Sequence, residues 1–204
     1  MLKKALESRE SCLTKRVEDH LRARRRRCAR EPGRGVDSPK LVGQRRHAGI
    51  VSGLAGFPQP GDEAPDFDLA GTDGKFRLSA HRGAPVVLLF YPRDESTVCT
   101  KQFCFYRDRY AELTELGVLA VGISPQDIAS HERFIAGHGL RLPLLSDVDL
   151  EVAKAYSVNS RLLGTKRATF VIDAAGIVRY RHEHVLSLTF DTVEDLRRAL
   201  ISAS

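Results

Sequence analysis

A continuous apolar run, Val86-Val87-Leu88-Leu89-Phe90-Tyr91, constrains the fold more than any other feature of this sequence. The run has the length of a strand and begins with two β-branched residues, so it predicts a strand that is buried on both faces. A second apolar run, Val118 to Ile123, follows a helical stretch that ends near Leu116, with Gly117 as its C-cap. Strands that alternate with helices indicate a sheet with a parallel core.

Turn residues extend this pattern in both directions. Gly71-Thr72-Asp73-Gly74 and Asp173-Ala174-Ala175-Gly176 each predict the turn of a hairpin. The paired strands are Asp66 to Leu69 with Lys75 to Leu78, and Ala168 to Ile172 with Ile177 to Arg181. Further helices are predicted from Pro125 to about Gly137, from Asp149 to Tyr156 and from Thr192 onward, with a short strand at Leu144 and Leu145. The fold class is therefore α/β, with a central mixed β-sheet flanked by helices and an N-terminal β-hairpin.

The basic residues are concentrated at the start of the chain. The whole sequence has a net charge of +6, but residues 1–56 hold 15 Lys and Arg against 6 Asp and Glu, a net charge of +9. Residues 57–204 hold 17 against 20, a net charge of −3. Because residues 1–56 contain no sustained apolar period, we predict a basic, mostly disordered leader there and a single domain at 57–204.

Four functional interpretations of the leader compete with that of a solvated tail. Arg24-Arg25-Arg26-Arg27 suits an arm that binds nucleic acid, but no aromatic residue precedes Phe57 to stack on a base. A secretory signal needs an apolar run soon after its early charges, and this leader has none there. The apolar run after Arg45-Arg46 is too Gly-rich and too far from the N-terminus for a twin-arginine signal. An organelle transit peptide should be poor in acidic residues, whereas residues 1–56 contain six. We therefore expect no nucleic-acid partner.

The apolar runs and the cysteine count together indicate the compartment. No stretch reaches the roughly 18 consecutive apolar residues of a membrane span, so no membrane partner is expected. The four cysteines are Cys12, Cys28, Cys99 and Cys104. They are too few for a secreted disulfide scaffold, so we expect a reducing, cytoplasmic location. Cys12 and Cys28 lie in the leader and are interpreted as incidental.

Cys99 lies in the first turn of the helix that follows the first buried strand. Phe103, Tyr106, Tyr110 and Leu113 continue from it at helical spacing, so Cys99 begins the core-facing stripe of that helix. Free backbone N–H groups and the positive end of the helix dipole favour a thiolate there. Since the thiolate is the reactive form of cysteine, Cys99 is a candidate nucleophile.

The spacing of Cys99 and Cys104 leaves open a metal site, a redox pair, or two small apolar residues packed in a helix. The metal interpretation is weak because no third Cys or paired His lies at structural-zinc spacing. The histidines add only His182-x-His184 on a strand, interpreted as a solvated face, so no metal or cofactor is expected. Residues five apart in an ideal helix have Cα atoms about 8.7 Å apart. A disulfide spans at most about 7 Å, so a bond between these two cysteines requires the helix to unwind.

The residues before Cys99 form a longer motif. Pro92-Arg93-Asp94-Glu95-Ser96-Thr97-Val98-Cys99 fits the pattern P-x-x-x-[ST]-x-x-C. Phe90-Tyr91-Pro92, Arg107-Asp108 and Arg167-Ala168-Thr169-Phe170-Val171-Ile172-Asp173 accompany it. With these motifs the sequence from Phe57 to Ser204 resembles the peroxiredoxins, and with Cys104 it resembles their Q-type subfamily, the bacterioferritin comigratory proteins. Thr97 departs from the family pattern, since many members carry Pro at that position.

This resemblance implies a thioredoxin-like fold and a thiol peroxidase that reduces hydrogen peroxide and organic hydroperoxides. Cys99 would be the peroxidatic residue that becomes a sulfenic acid, and Cys104 the resolving residue that forms an intramolecular disulfide with Cys99. Ser96 matches a family Thr/Ser that contacts the thiolate and the peroxide, although a helix N-cap is its simpler role. Pro92 would shape the pocket wall. Arg167 matches the family's active-site Arg, which stabilises negative charge.

The resemblance also implies the partners. These are a peroxide substrate and a thioredoxin or similar dithiol reductant, with the protein itself a monomer or weak homodimer. The alternative is a thioredoxin-like disulfide oxidoreductase without peroxidase activity. Such proteins normally use C-x-x-C, so the four-residue spacing and the absence of Trp argue against this alternative.

Overall fold

A computed structural model of the protein describes residues 57–162, 164–184 and 188–201. The predicted leader, residues 1–56, lies outside the described residues, so its disorder and the domain boundary at residue 57 stay predictions. None of the helices within the described ranges is long and apolar enough to cross a membrane.

Strands and helices alternate along the described chain. The strands are β1 (Asp68–Gly71), β2 (Gly74–Arg77), β3 (Val86–Phe90), β4 (Leu119–Ser124), β5 (Leu144–Ser146), β6 (Asn159–Ser160), β7 (Gly164–Thr165), β8 (Ala168–Ile172) and β9 (Val178–Glu183). The α-helices are α1 (Thr97–Asp108), α2 (Tyr110–Glu115), α3 (Ile128–His138), α4 (Glu151–Ala155) and α5 (Val193–Ile201), and Leu78–His81 forms a 3-10 turn.

Seven of these strands form one mixed sheet in the order β2-β1-β5-β4-β3-β8-β9. β3 is parallel to β4 and β4 is parallel to β5, which confirms the parallel core. The early hairpin β1–β2 joins antiparallel at β5, and the late hairpin β8–β9 joins antiparallel at β3. Both predicted hairpins are therefore confirmed, whereas the small pair of β6 and β7 was not predicted.

Strand β3 is buried along its whole length because helices cover both faces of the sheet. Val86, Leu88 and Phe90 face one core, to which α4 contributes. Val87 and Leu89 face a second core that contains the inward side chains of α1, α3 and α5. This three-layer arrangement explains why β3 carries no polar residue. It also places the start of α1 directly at the end of β3.

The helical stretch predicted to run to Leu116 is wrong in one respect, since it is two helices. Arg109, with φ −113° and ψ 25°, ends α1 and begins α2. The Arg109 guanidinium lies 4.0 Å from the centre of the Phe105 ring. No Gly or Pro marks the break, so the residue pattern held no signal for it. The predicted C-cap at Gly117 is confirmed, because its φ of 66° suits glycine.

The helix predicted to begin at Pro125 begins instead at Ile128. The cap is Asp127, whose carboxylate accepts a hydrogen bond from the Ser130 amide at 2.7 Å. The hydroxyl of Ser124, the residue before Pro125, donates instead to Gln126 Oε1 at 2.8 Å, so Ser124 does not cap a helix that begins at Pro125. A carboxylate three residues before a free amide is the better partner for a helix start.

Candidate active site

Cys99 is the third residue of α1, and its side chain is completely buried. Ser96 is the N-cap, and its hydroxyl accepts a hydrogen bond from the Cys99 amide at 3.4 Å. The same hydroxyl donates to the carbonyl of Arg93 at 3.3 Å. The N-cap role of Ser96 is thus confirmed, and its predicted contact with substrate stays a prediction.

Arg167 is the residue just before β8, and its side chain contacts Cys99. Its Nη2 donates to Cys99 Sγ at 3.0 Å, and its Nη1 donates to the side-chain oxygen of Gln102. Only 1% of Arg167 is exposed, so its positive charge is held away from water and acts on the sulfur with little screening. A guanidinium is charged at all ordinary pH values and stabilises negative charge on an atom to which it donates.

The pairing of β8 with β3 explains this contact. Ala168, next to Arg167, lies opposite Phe90 at the end of β3. Cys99 enters from the same end of β3 through the loop before α1. Two residues 68 positions apart in sequence thus meet at one end of the central strand.

Gln102 was not predicted from the sequence. It lies one turn after Cys99 on the same side of α1, is 1% exposed, and accepts the hydrogen bond of Arg167. A polar residue three positions from a cysteine in the buried stripe of a helix was the available signal, because buried amides require partners.

A cleft of ≈ 680 Å³ opens above Cys99. Pro92, Ser96 and Arg167 all line it, so the structure brings together four of the five predicted site residues. Cys99 is fully buried and does not line the cleft, but it is hydrogen-bonded to Arg167, which does. Val98, Leu162 and Leu188 add an apolar rim, and the last two are exposed. The cleft therefore joins an apolar entrance to a cationic base.

Cys104 lies apart from this cleft. It is in the same continuous helix as Cys99, is partly exposed, and both thiols are free. The spacing of about 8.7 Å expected for an ideal helix applies to this pair. A bond between the two sulfurs would therefore require α1 to unwind.

A buried network below the cleft was also missed. Asp94 accepts hydrogen bonds from Tyr91 at 2.7 Å, from Ser130 at 2.7 Å and from His131 Nδ1 at 2.9 Å. His131 Nε2 lies 3.2 Å from the Leu145 carbonyl, so each ring nitrogen of His131 faces an oxygen. Burial alone raises the pKa of Asp94, but the hydrogen bonds from His131, Tyr91 and Ser130 outweigh it and lower that pKa. The network ties the loop before α1 to α3.

The prediction of a solvated face at His182 and His184 is wrong for His184. Its side chain is buried, and its Nε2 lies 3.1 Å from Asp191 Oδ2, because the chain after residue 188 folds back over β9. His182 Nδ1 lies 2.7 Å from Asp191 Oδ1, although His182 is itself exposed. Burial raises the pKa of Asp191, but hydrogen bonds from His184, Thr169 and His182 lower it to about 2.

A buried cysteine in the first turn of a helix, with a guanidinium at its sulfur, defines a thiol-based site on a thioredoxin-like fold. The sequence profile of the AhpC/TSA family matches residues 60–181, more than half of the chain. The protein belongs to the AhpC/TSA family.

Individual relatives indicate which members of the AhpC/TSA family the chain resembles. The chain is 42% identical over 139 residues to peroxiredoxin Q, chloroplastic, of Triticum aestivum, which is 67% of this chain and 64% of the wheat protein. It is 35% identical over 126 residues to putative peroxiredoxin bcp of Coxiella burnetii, with 58% of this chain and 83% of that protein covered. The match therefore spans less than two thirds of the wheat relative.

Solved structures agree with the fold. Peroxidoxin BcpB from Mycobacterium tuberculosis superposes with a TM-score of 0.60 at 34% identity and covers 70% of this chain and 94% of its own. Peroxiredoxin Q from Xanthomonas campestris superposes with a TM-score of 0.57 at 28% identity, with 67% and 88% covered. The predicted resemblance to Q-type peroxiredoxins is confirmed.

Proposed function

We propose that this protein is a thiol peroxidase that reduces hydrogen peroxide and organic hydroperoxides at Cys99. The observation that carries the proposal is the hydrogen bond from Arg167 Nη2 to Cys99 Sγ at 3.0 Å inside a buried site. The same cation can stabilise the sulfur anion before the reaction and the oxygen anion that develops as the peroxide breaks. Family membership and the named relatives support this assignment.

In the first step the Cys99 thiolate attacks the terminal oxygen of the peroxide. The S–O bond forms as the O–O bond breaks, the sulfur is oxidised by two electrons, and the leaving oxygen takes a proton to become water or an alcohol. Cys99 becomes a sulfenic acid. Pro92 and Ser96 limit the space above the sulfur, and Arg167 directs its charge into the same space.

In the second step the Cys104 thiol attacks the sulfur of the sulfenic acid. The S–S bond forms, and the hydroxyl group leaves as water with the thiol proton. Because both cysteines lie in α1, this step requires the first turns of α1 to unwind. A thioredoxin-like dithiol then takes up the disulfide by exchange, supplies two electrons and restores both thiols.

Cys99→Ser is the direct test. We expect it to abolish peroxide consumption in a coupled assay with a thioredoxin system, because serine is not oxidised by peroxide. Retained turnover by Cys99→Ser would falsify the proposal. A protein that reduces disulfides in insulin but consumes no peroxide would instead be the thioredoxin-like oxidoreductase.

The proposed linkage has its own test. After treatment with one equivalent of peroxide, peptide mass spectrometry should find Cys99 joined to Cys104, with Cys12 and Cys28 excluded from the bond. Oxidised Cys104→Ser should instead carry a sulfenic acid at Cys99 and complete a single turnover. A linkage of Cys99 to a leader cysteine contradicts the assigned resolving residue.

A monomer or weak homodimer and a cytoplasmic location stay predictions. The name of the wheat relative places that protein in the chloroplast. Native mass spectrometry of the protein from its source reports the assembly and the true N-terminus together, and the N-terminus shows whether the leader persists.

A further inference from the structure

His182, His184 and Asp191 converge at the edge of the sheet, outside the cleft above Cys99. His182 lies near the end of β9 and His184 is the first residue after it, so extended backbone places the two rings on one side. The chain that follows brings Asp191 back against both. One ligand atom from each of the three residues lies within 4.8 Å of the others.

We propose that these three residues form a binding site for a divalent first-row transition metal ion, with Zn²⁺ as the probe. Two imidazole nitrogens and one carboxylate oxygen are ligands that such ions take in proteins. Three protein ligands leave a coordination position for water. An alkaline-earth ion is disfavoured, because Ca²⁺ and Mg²⁺ prefer oxygen ligands.

The groups behind the ligands orient them. Thr189 Oγ1 lies 3.0 Å from His184 Nδ1, so the other ring nitrogen of His184 is the one directed at Asp191. The Tyr180 hydroxyl donates to Asp191 Oδ1 at 3.1 Å. Partners of this kind fix the ring orientation of a ligating histidine and hold a ligating carboxylate in place.

Burial and charge also suit a cation. The side chains of His184 and Asp191 are 2% and 4% exposed, which limits competition from water. The side chain of His182 is 47% exposed, so an ion can enter from that side. The Asp191 carboxylate supplies negative charge at the centre of the group, between the two histidines.

The competing explanation is that the same hydrogen bonds only attach the returning chain to β9. The two explanations differ in one measurable property, because a hydrogen-bonded attachment has no saturable affinity for a metal. His138 offers a matched control, since its Nε2 lies 3.1 Å from Glu95 Oε2 but the pair has no third ligand nearby among the described residues.

The test is calorimetric titration of Zn²⁺ into the full chain with all four cysteines replaced by serine, so that thiols cannot bind the ion. We expect one Zn²⁺ per chain, at least about tenfold weaker affinity in His182→Ala, and unchanged affinity in His138→Ala. His182 is exposed, so its replacement should preserve the fold, which circular dichroism checks. Co²⁺ titrated into the same proteins should give visible absorption bands that disappear in His182→Ala.

Three outcomes overturn the proposal. The first is the absence of saturable Zn²⁺ binding, and the second is binding that His182→Ala leaves intact. The third is equal weakening by His182→Ala and His138→Ala, which indicates scattered surface histidines. None of these results depends on peroxidase activity, so the test of the metal site is independent of the test of the proposed function.

Discussion

Arg167 is 1% exposed, and its guanidinium donates to the sulfur of Cys99 at 3.0 Å at the end of the central strand. A buried cation needs compensating partners, and the Cys99 sulfur and the Gln102 amide oxygen are two of them. One donor of the guanidinium is directed at the sulfur, so its positive charge stabilises negative charge there.

Arg167→Gln should therefore reduce kcat/KM for hydrogen peroxide by about 10²- to 10³-fold, the usual cost of removing one donor to a developing anion. The measurement is a coupled peroxidase assay under saturating reductant. Arg161→Gln is the matched control, because Arg161 is exposed and lies six residues before Arg167 in the same segment. Equal losses in the two variants would contradict a specific role for Arg167.

Gln102 should act through Arg167 as a positioning residue. Gln102→Leu removes the acceptor of Arg167 Nη1 and should slow single-turnover oxidation of Cys99 by up to about 10²-fold, as small misplacements of catalytic groups do. Gln102→Asn keeps an uncharged amide acceptor on the same residue and should recover part of the rate. If both variants oxidise at the same rate as each other, the hydrogen bond does not position Arg167.

Asp94→Asn tests the buried network below the cleft. A hydrogen bond to a charged group contributes about 1.5 to 3 kcal/mol to the free energy of unfolding, and Asp94 accepts three, so Asp94→Asn should lose at least about 1.5 kcal/mol. Glu95→Gln at the exposed pair with His138 should cost less than about 1 kcal/mol. Urea unfolding at neutral pH measures both. A loss in Asp94→Asn no larger than that in Glu95→Gln is the result that rejects this reading of the network.

The same residue predicts a pH dependence. The pKa of Asp94 is lowered in the folded state from its ordinary value of 3.8, so its contribution is complete above that pH and disappears as the pH falls through the lowered pKa. The stability difference between wild type and Asp94→Asn should therefore shrink as unfolding is measured at successively lower pH. A constant difference across that range would show that the carboxylate charge contributes nothing.

Replacing two glycines by alanine should change the stability of the protein in opposite directions. A Cβ on Gly122 would lie 2.6 Å from Leu144 Cδ2 and 2.8 Å from Phe103 Cζ, so Gly122→Ala should destabilise the protein by about 1 to 3 kcal/mol. A Cβ on Gly137, in α3, meets nothing closer than 4.0 Å, so Gly137→Ala should stabilise it by about 0.4 to 1 kcal/mol. Thermal unfolding of the two variants measures both signs, and matching signs would contradict the packing argument.

The sequence was sufficient for most of the fold because its signals are local. The apolar run at Val86 to Tyr91 and the glycine-containing turns each specify their own element, and the strand pattern then limits the sheet. The break at Arg109 was missed because no Gly or Pro marks it in the sequence. The return of Asp191 to β9 was missed because it depends on side-chain contacts that no turn or period in the sequence indicates.

The residues of the candidate active site also differ in whether local sequence signals predict them. Cys99 and Ser96 follow from helix chemistry, since a cap and a first-turn thiol are adjacent in sequence. Arg167 required the family resemblance, because its neighbours Arg161 and Lys166 carry the same charge and nothing local distinguishes them. Gln102 and Asp94 escaped notice because their partners lie 65 and 37 positions away.

The break at Arg109 separates α1 from α2. A helix of 12 residues is marginal by itself in water, so α1 depends on the packing of its inner side chains against the sheet. α2 begins with its own hydrogen bond, from the Leu113 amide to the Arg109 carbonyl at 3.1 Å. Opening of the cysteine-bearing turns therefore need not break the hydrogen bonds of α2, and such a local opening costs less free energy than global unfolding.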